Sequence, residues 1–200
     1  MTKKVSALVA ITLAASALTA PAGVAATTPV TAPNATKASK PYTMTPTGLQ
    51  SARVGMTMDR AAKSLGWRLR LDRYSGASNP CWLVPVGPAA HGVWVLTTRG
   101  RKGPVERFSV MTQMGVRIDT RRTPRTAAGI GIGSTRAQVL TAYRGRVKQS
   151  AHEYTSGQYL DVAGPRGSRT ALRFETDHRG RVVAMHSGKV PQVFYIENCL

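Results

Sequence analysis

The sequence predicts an α+β fold: a tandem repeat of one short helix plus a three- to four-stranded antiparallel meander, with the helices packed on one face of the sheet. Three observations predict it. The segment GMTMDRAAKSLG from Gly55 recurs as GSTRAQVLTAYRG from Gly133, and VERFSV from Val105 recurs as VVAMHS from Val182, a near-constant spacing of about 78 residues. In each copy a helical period then gives way to alternation. One such unit covers only part of its apolar face, so the two are expected to share one core.

The elements follow in chain order. Lys3 and Lys4 precede an apolar run over residues 5–20, and Val24 and Ala26 fit the small-x-small rule. Residues 1–26 therefore read as an export signal cleaved after Ala26. The run is shorter than the ~20 apolar residues a spanning helix needs, and no Cys follows it to accept a lipid anchor. Residues 27–47, rich in Thr, Ala, Pro and Lys, read as a disordered linker. The body divides into repeat 1 (48–116), a basic connector (117–128) and repeat 2 (129–200).

In repeat 1, Gly55 makes a turn and Thr57 an N-cap, with Asp59 suited to the positive end of the helix. Met58, Ala61, Ala62 and Leu65 share one face, and Gly66 stops the helix. Trp67, Leu69 and Leu71 alternate with Arg68 and Arg70 as a first strand. Further strands are expected over 81–86, 92–98 and 105–111. In repeat 2, Gly133 makes the turn, Thr135 and Gln138 form a capping box, and Val139, Leu140 and Tyr143 form the apolar face before Gly145. Strands are expected over 157–162, 170–176 and 181–187, with a short one over 193–196.

The charge is the second strong feature. Formal net charge is +19, with 28 Lys and Arg against 9 Asp and Glu. Such a surface attracts anionic polymers and acidic proteins. Arg117, Arg121, Arg122 and Arg125 concentrate in the connector as an anion patch or a solvated linker. Only two Cys occur, Cys81 and Cys199. Outside the cytoplasm an isolated pair is expected to form a disulfide, the alternative being two buried thiols.

Catalytic patterns are thin. His91, His152, His178 and His186 lack the helical pairing of a zinc hydrolase. Two carboxylate pairs, Glu153 with Asp161 and Glu175 with Asp177, could do acid–base work, but amid 28 basic side chains salt bridging is the expected role. Gly129, Gly131 and Gly133 lack the Lys-Ser/Thr of a phosphate loop and read as a tight entry to repeat 2. No stacking platform for nucleic acid is present, and no cofactor or metal is expected.

Val54-Gly55-Met56-Thr57, the strand at Cys81, His152 to Tyr154 before Gly157-Gln158-Tyr159-Leu160, Phe174-Glu175-Thr176-Asp177 and Glu197-Asn198-Cys199 carry a resemblance. The chain resembles the SmpA/OmlA class of outer-membrane assembly lipoproteins, the β-lactamase inhibitory protein, and secreted two-repeat proteins of actinomycetes. That resemblance implies short helices on one sheet face and protein–protein binding rather than chemistry. No contact residue of those families carries over.

The sequence thus leads to a secreted, non-catalytic binding module, a protein inhibitor or envelope adaptor acting as a monomer. The alternatives are an electrostatic binder of anionic cell-envelope polymers and, behind it, a secreted hydrolase.

Overall fold

The computed structural model describes residues 42–71, 80–112 and 118–198. Eleven strands and two helices follow one another in these residues. They are β1 (Thr43–Thr45), β2 (Gly48–Leu49), β3 (Ala52–Arg53), α1 (Met58–Ser64), β4 (Trp82–Pro85), β5 (Val93–Thr97), β6 (Arg107–Met111), β7 (Arg125–Thr126), α2 (Arg136–Ala142), β8 (Val147–Ala151), β9 (Gln158–Ala163), β10 (Thr170–Thr176) and β11 (Val182–Lys189).

The architecture is mostly β and is not a tandem repeat of helix plus meander. A seven-stranded antiparallel sheet runs β4, β5, β6, β11, β10, β9, β8, and a small mixed sheet runs β3, β2, β1, β7. The large sheet joins the two expected repeats, and the small one joins the expected linker, repeat 1 and connector. β6 pairs with β11 over five residues, and β1 pairs parallel with β7. Neither half closes its own sheet, and the halves contribute three and four strands to the large one. Local similarity of the two helix segments therefore does not extend to a duplicated unit.

Other boundaries move as well. The structured body begins inside the expected linker, because Met44 in β1 is buried against the core. The expected connector contributes β7. Trp67, Leu69 and Leu71 form no strand; only Leu69 makes an isolated bridge, to Val86, while Leu71 is exposed. The expected last strand is a single 3-10 turn, Gln192–Phe194, following Pro191. The export signal, most of the linker, Arg117 and Cys199 lie outside the described residues.

The helix ends follow the sequence. Thr57 accepts from the Arg60 N–H, and α1 buries Met58, Ala61 and Ala62. Thr135 and Gln138 complete their reciprocal cap, with the Gln138 Oε1 2.8 Å from the Thr135 N. Gly66 and Gly133 hold φ of +69° and +84°, where a side chain would strain the backbone.

Alternation along the strands separates two faces. Val84, Val95, Phe108, Val110, Leu160, Leu172, Phe174 and Met185 form the inner core with both helices and the small sheet. The outer face carries one cross-strand row, Trp94, Ser109, His186, Arg173, Asp161 and Lys148. Much of that polar row is buried. The C-terminal segment lies over it: Arg107 donates to the carbonyls of Gln192 and Tyr195 and to the Asn198 side chain, and Arg173 donates to the Phe194 carbonyl. Among the described residues, no helix is long and apolar enough to cross a membrane.

Candidate functional site

The connector arginines divide into two groups. Arg121 and Arg122 face Asp119 at 3.2 and 3.5 Å, and hydrogen bonds from the Arg121 backbone and side chain help hold the Asp119 carboxyl below its ordinary range. Their charge is partly neutralised within the loop. Arg125, placed by β7, turns away and donates from Nη1 to the Gly129 carbonyl at 2.9 Å. Its aliphatic stem packs on Gly131, where a Cβ would stand 2.8 Å from the Arg125 Cγ. Of the four connector arginines, the three described ones thus have different partners, Asp119 for Arg121 and Arg122 and the Gly129 carbonyl for Arg125.

Arg125 instead lines a groove of about 850 Å³ with a residue the sequence reading left out, Arg181. Arg181 comes from the turn before β11 and donates to the Gly133 carbonyl at 3.1 Å. The Gly129–Gly133 turn and α2, with Gln138 and Thr141, line the same groove. Among the described residues, neither arginine is paired with a carboxylate. The glycine turn gives the groove its floor by letting the chain reverse closely, as a tight entry to α2. The groove thus offers two fixed cations, hydroxyl and amide groups, and apolar patches at Ile130 and Ile132.

A second polar constellation lies on the outer sheet face. The Ser109 Oγ is 2.8 Å from the His186 Nδ1, the His186 Nε2 is 3.1 Å from the Glu175 Oε1, and the His152 Nε2 is 3.6 Å from the Glu175 Oε2. Arg173 makes a two-pronged pair with Asp161 at 2.8 and 2.9 Å and lies over the Tyr159 ring. Burial depresses the His186 pKa, and the Arg107 and Arg173 charges push the same way, outweighing its bond to Glu175. For Glu175, burial acts upward, but the His186 hydrogen bond, the charge His186 acquires in the acid range where Glu175 titrates, and the His152 and Arg173 charges bring it down to about 2. At neutral pH the pair is a carboxylate accepting from a neutral imidazole, whose Nδ1 accepts from Ser109.

The Ser–His–Glu order has the connectivity of a nucleophile relay. Ser109 is 0% exposed, however, so no external carbonyl reaches its hydroxyl. The two candidate carboxylate pairs are not formed either. A bulge between Glu175 and Thr176 separates Glu175 from Asp177, which instead accepts from the backbone of Arg179 and Arg181. Asp161 pairs with Arg173, away from Glu153. Sequence reasoning missed Arg107, Ser109 and Arg173. The available signal was polar residues alternating with large apolar ones on strands that the repeat reading placed apart.

The remaining histidines sit apart from this network. His91 lies beside Trp67 and Tyr42, and His178 accepts from the neighbouring Arg179. Among the described residues, no cluster of three or more His, Cys, Asp or Glu is placed to hold a metal ion. Cys81 is not a free thiol, and its sulfur lies 3.9 Å from the Asn198 carbonyl, next to Cys199 in the chain.

Comparison with protein-family models, with curated proteins and with solved structures finds no match.

Proposed function

We propose that the protein is an exported, non-catalytic binding module that engages an anionic partner through the groove between Arg125 and Arg181. The observation that carries this reading is the pair of guanidinium groups, unpaired with carboxylates among the described residues, lining a groove of about 850 Å³ on a chain of formal charge +19. Net charge brings polyanions to the surface over a Debye length. A shaped groove adds fixed geometry, because each guanidinium is held by a backbone carbonyl while its other donors remain available for phosphate or carboxylate oxygens. An anionic envelope polymer with repeated phosphodiesters suits this arrangement.

Titration with soluble polyphosphate across a salt series tests the reading. The wild type should bind saturably, with affinity falling as salt releases counterions. Arg125→Ala with Arg181→Ala should weaken binding tenfold or more and reduce the salt slope by about two, roughly one per removed contact. An equal loss on neutralising Arg60 and Arg166, outside the groove, would reduce the interaction to net charge alone. No saturable binding would overturn the proposal.

A further inference from the structure

The large sheet has two edges, and they are finished differently. Along β4 the Arg70 N–H donates to the Pro85 carbonyl at 2.9 Å, the Gly87 N–H donates to the Arg68 carbonyl at 3.0 Å, and Leu69 bridges Val86. Pro85 itself has no N–H to offer. The Pro85 end of that edge is therefore covered. Among the described residues, β8 has no such cover. It pairs with β9 along its whole length, from Val147 with Val162 to Ala151 with Gln158, and every residue but Val147 is exposed.

The direction of its backbone groups follows from the ladder. The His152 N–H bonds to the Gly157 carbonyl directly opposite. Antiparallel bonding alternates, so Ser150 and Lys148 turn their N–H and C=O groups toward β9, while Val147, Gln149 and Ala151 turn theirs outward. Three consecutive outward positions make a template for another strand.

The edge is also cationic. From Arg136 to Ala151 the chain carries Arg136, Arg144, Arg146 and Lys148 and no Asp or Glu. Arg136 is drawn onto β8 itself, with its Nε and Nη2 3.0 and 2.6 Å from the Gln149 Oε1. A second copy of β8 would add its own Arg136 and Lys148 to a surface that already carries both, with no carboxylate on the strand to offset them. A strand carrying carboxylates would meet opposite charge instead.

We infer that β8 is a docking edge for an extended acidic segment of a partner protein, added as an eighth strand. Main-chain bonds to Val147, Gln149 and Ala151 supply affinity, and the Arg136 and Lys148 charges select the partner. The surface is distinct from the groove at Arg125 and Arg181, and so is its ligand.

The test uses the whole chain and a short capped peptide of alternating Glu and Val, with a Lys and Val peptide as control. The acidic peptide should slow amide exchange at Val147, Gln149 and Ala151, and the basic one should not. Gln149→Pro removes an outward donor without breaking the bonds to β9, so it should lower affinity tenfold or more while leaving exchange protection in β9 intact. A peptide N-methylated along its pairing edge should fail to bind the wild type, which keeps the test decisive if the proline variant misfolds. Absence of protection at the three amides, or equal binding of the N-methylated peptide, would overturn the inference. So would binding lost in Arg125→Ala with Arg181→Ala but kept in Gln149→Pro, which would move the acidic peptide into the groove. Failure of polyphosphate binding leaves this result untouched, so the two proposals fail separately.

Discussion

The Nδ1 of His186 lies 2.8 Å from the Oγ of Ser109, across a strand pair whose members are 77 residues apart in the chain. The imidazole can accept that hydroxyl proton only while it is neutral. Burial and the Arg107 and Arg173 charges keep it so, with Glu175 accepting from its other nitrogen.

Stability should therefore fall with acid in two steps. The unfolded chain takes up a proton on this histidine near pH 6.5, while the folded protein resists it, so the unfolded state gains as pH drops below about 6.5. Glu175 adds to the loss lower down. Its stabilisation is complete above its ordinary value of 4.5 and disappears as pH falls toward about 2. Urea midpoints at pH 7.5, 5.5 and 4 should decline in the wild type, and His186→Gln should flatten the first interval. An unchanged slope in that variant would show that His186 does not set it.

Arg107 is fully buried and anchors the C-terminal segment through three acceptors. Burial brings its pKa down to about 10, so it remains charged at neutral pH. Arg107→Met should cost about 1–3 kcal/mol, the scale for leaving hydrogen-bonding groups without their partner. Hydrogen exchange should rise over 192–198 and stay slow in β5. Retention of both stability and protection would contradict the anchoring role.

Gly188 on β11 faces the backbone of the neighbouring strand. A Cβ there would stand 2.3 Å from the Glu106 carbonyl oxygen. Gly188→Ala should destabilise by about 1–3 kcal/mol, as overpacking does. Thermal melting of the variant gives the measurement, and an unchanged midpoint would contradict the close approach of the two strands at this position.

Thr135→Ala removes one half of the reciprocal cap on α2 and should cost about 1 kcal/mol. Chemical denaturation at neutral pH checks it. Thr135→Ser should recover most of the loss.

Thiol titration addresses the cysteine pair. The oxidised, denatured protein should show no reactive thiol, and reduction should release both Cys81 and Cys199. Two reactive thiols before reduction would refute the disulfide expectation.

Much of the local structure was legible. Thr57 and Thr135 marked both helix starts, β5 announced itself as a short apolar run, and β6, β9, β10 and β11 by polar residues set among large apolar ones. β8 did not, because Lys148, Gln149 and Ser150 lie at an exposed edge that demands no apolar period. β1, β2, β3 and β7 are too short for any periodic signal. The repeat reading failed for a deeper reason: helix similarity is local, whereas the pairing of β6 with β11 and of β1 with β7 is decided by long-range packing. For the groove, Arg125 was visible as charge, but Arg181 belongs to a hairpin turn far along the chain. The Ser109, His186 and Glu175 contacts required the strand register, which no single segment encodes.

The position of β11 between β6 and β10 also bears on biosynthesis. A ribosome finishes β4, β5 and β6 well before it makes the strand that completes them. Until β11 emerges, β6 presents an unsatisfied edge, with Phe108 and Val110 still lacking part of their cover. Nascent chains in that state can pair with one another. Holding the chain back from premature assembly is therefore a requirement on whatever attends its synthesis.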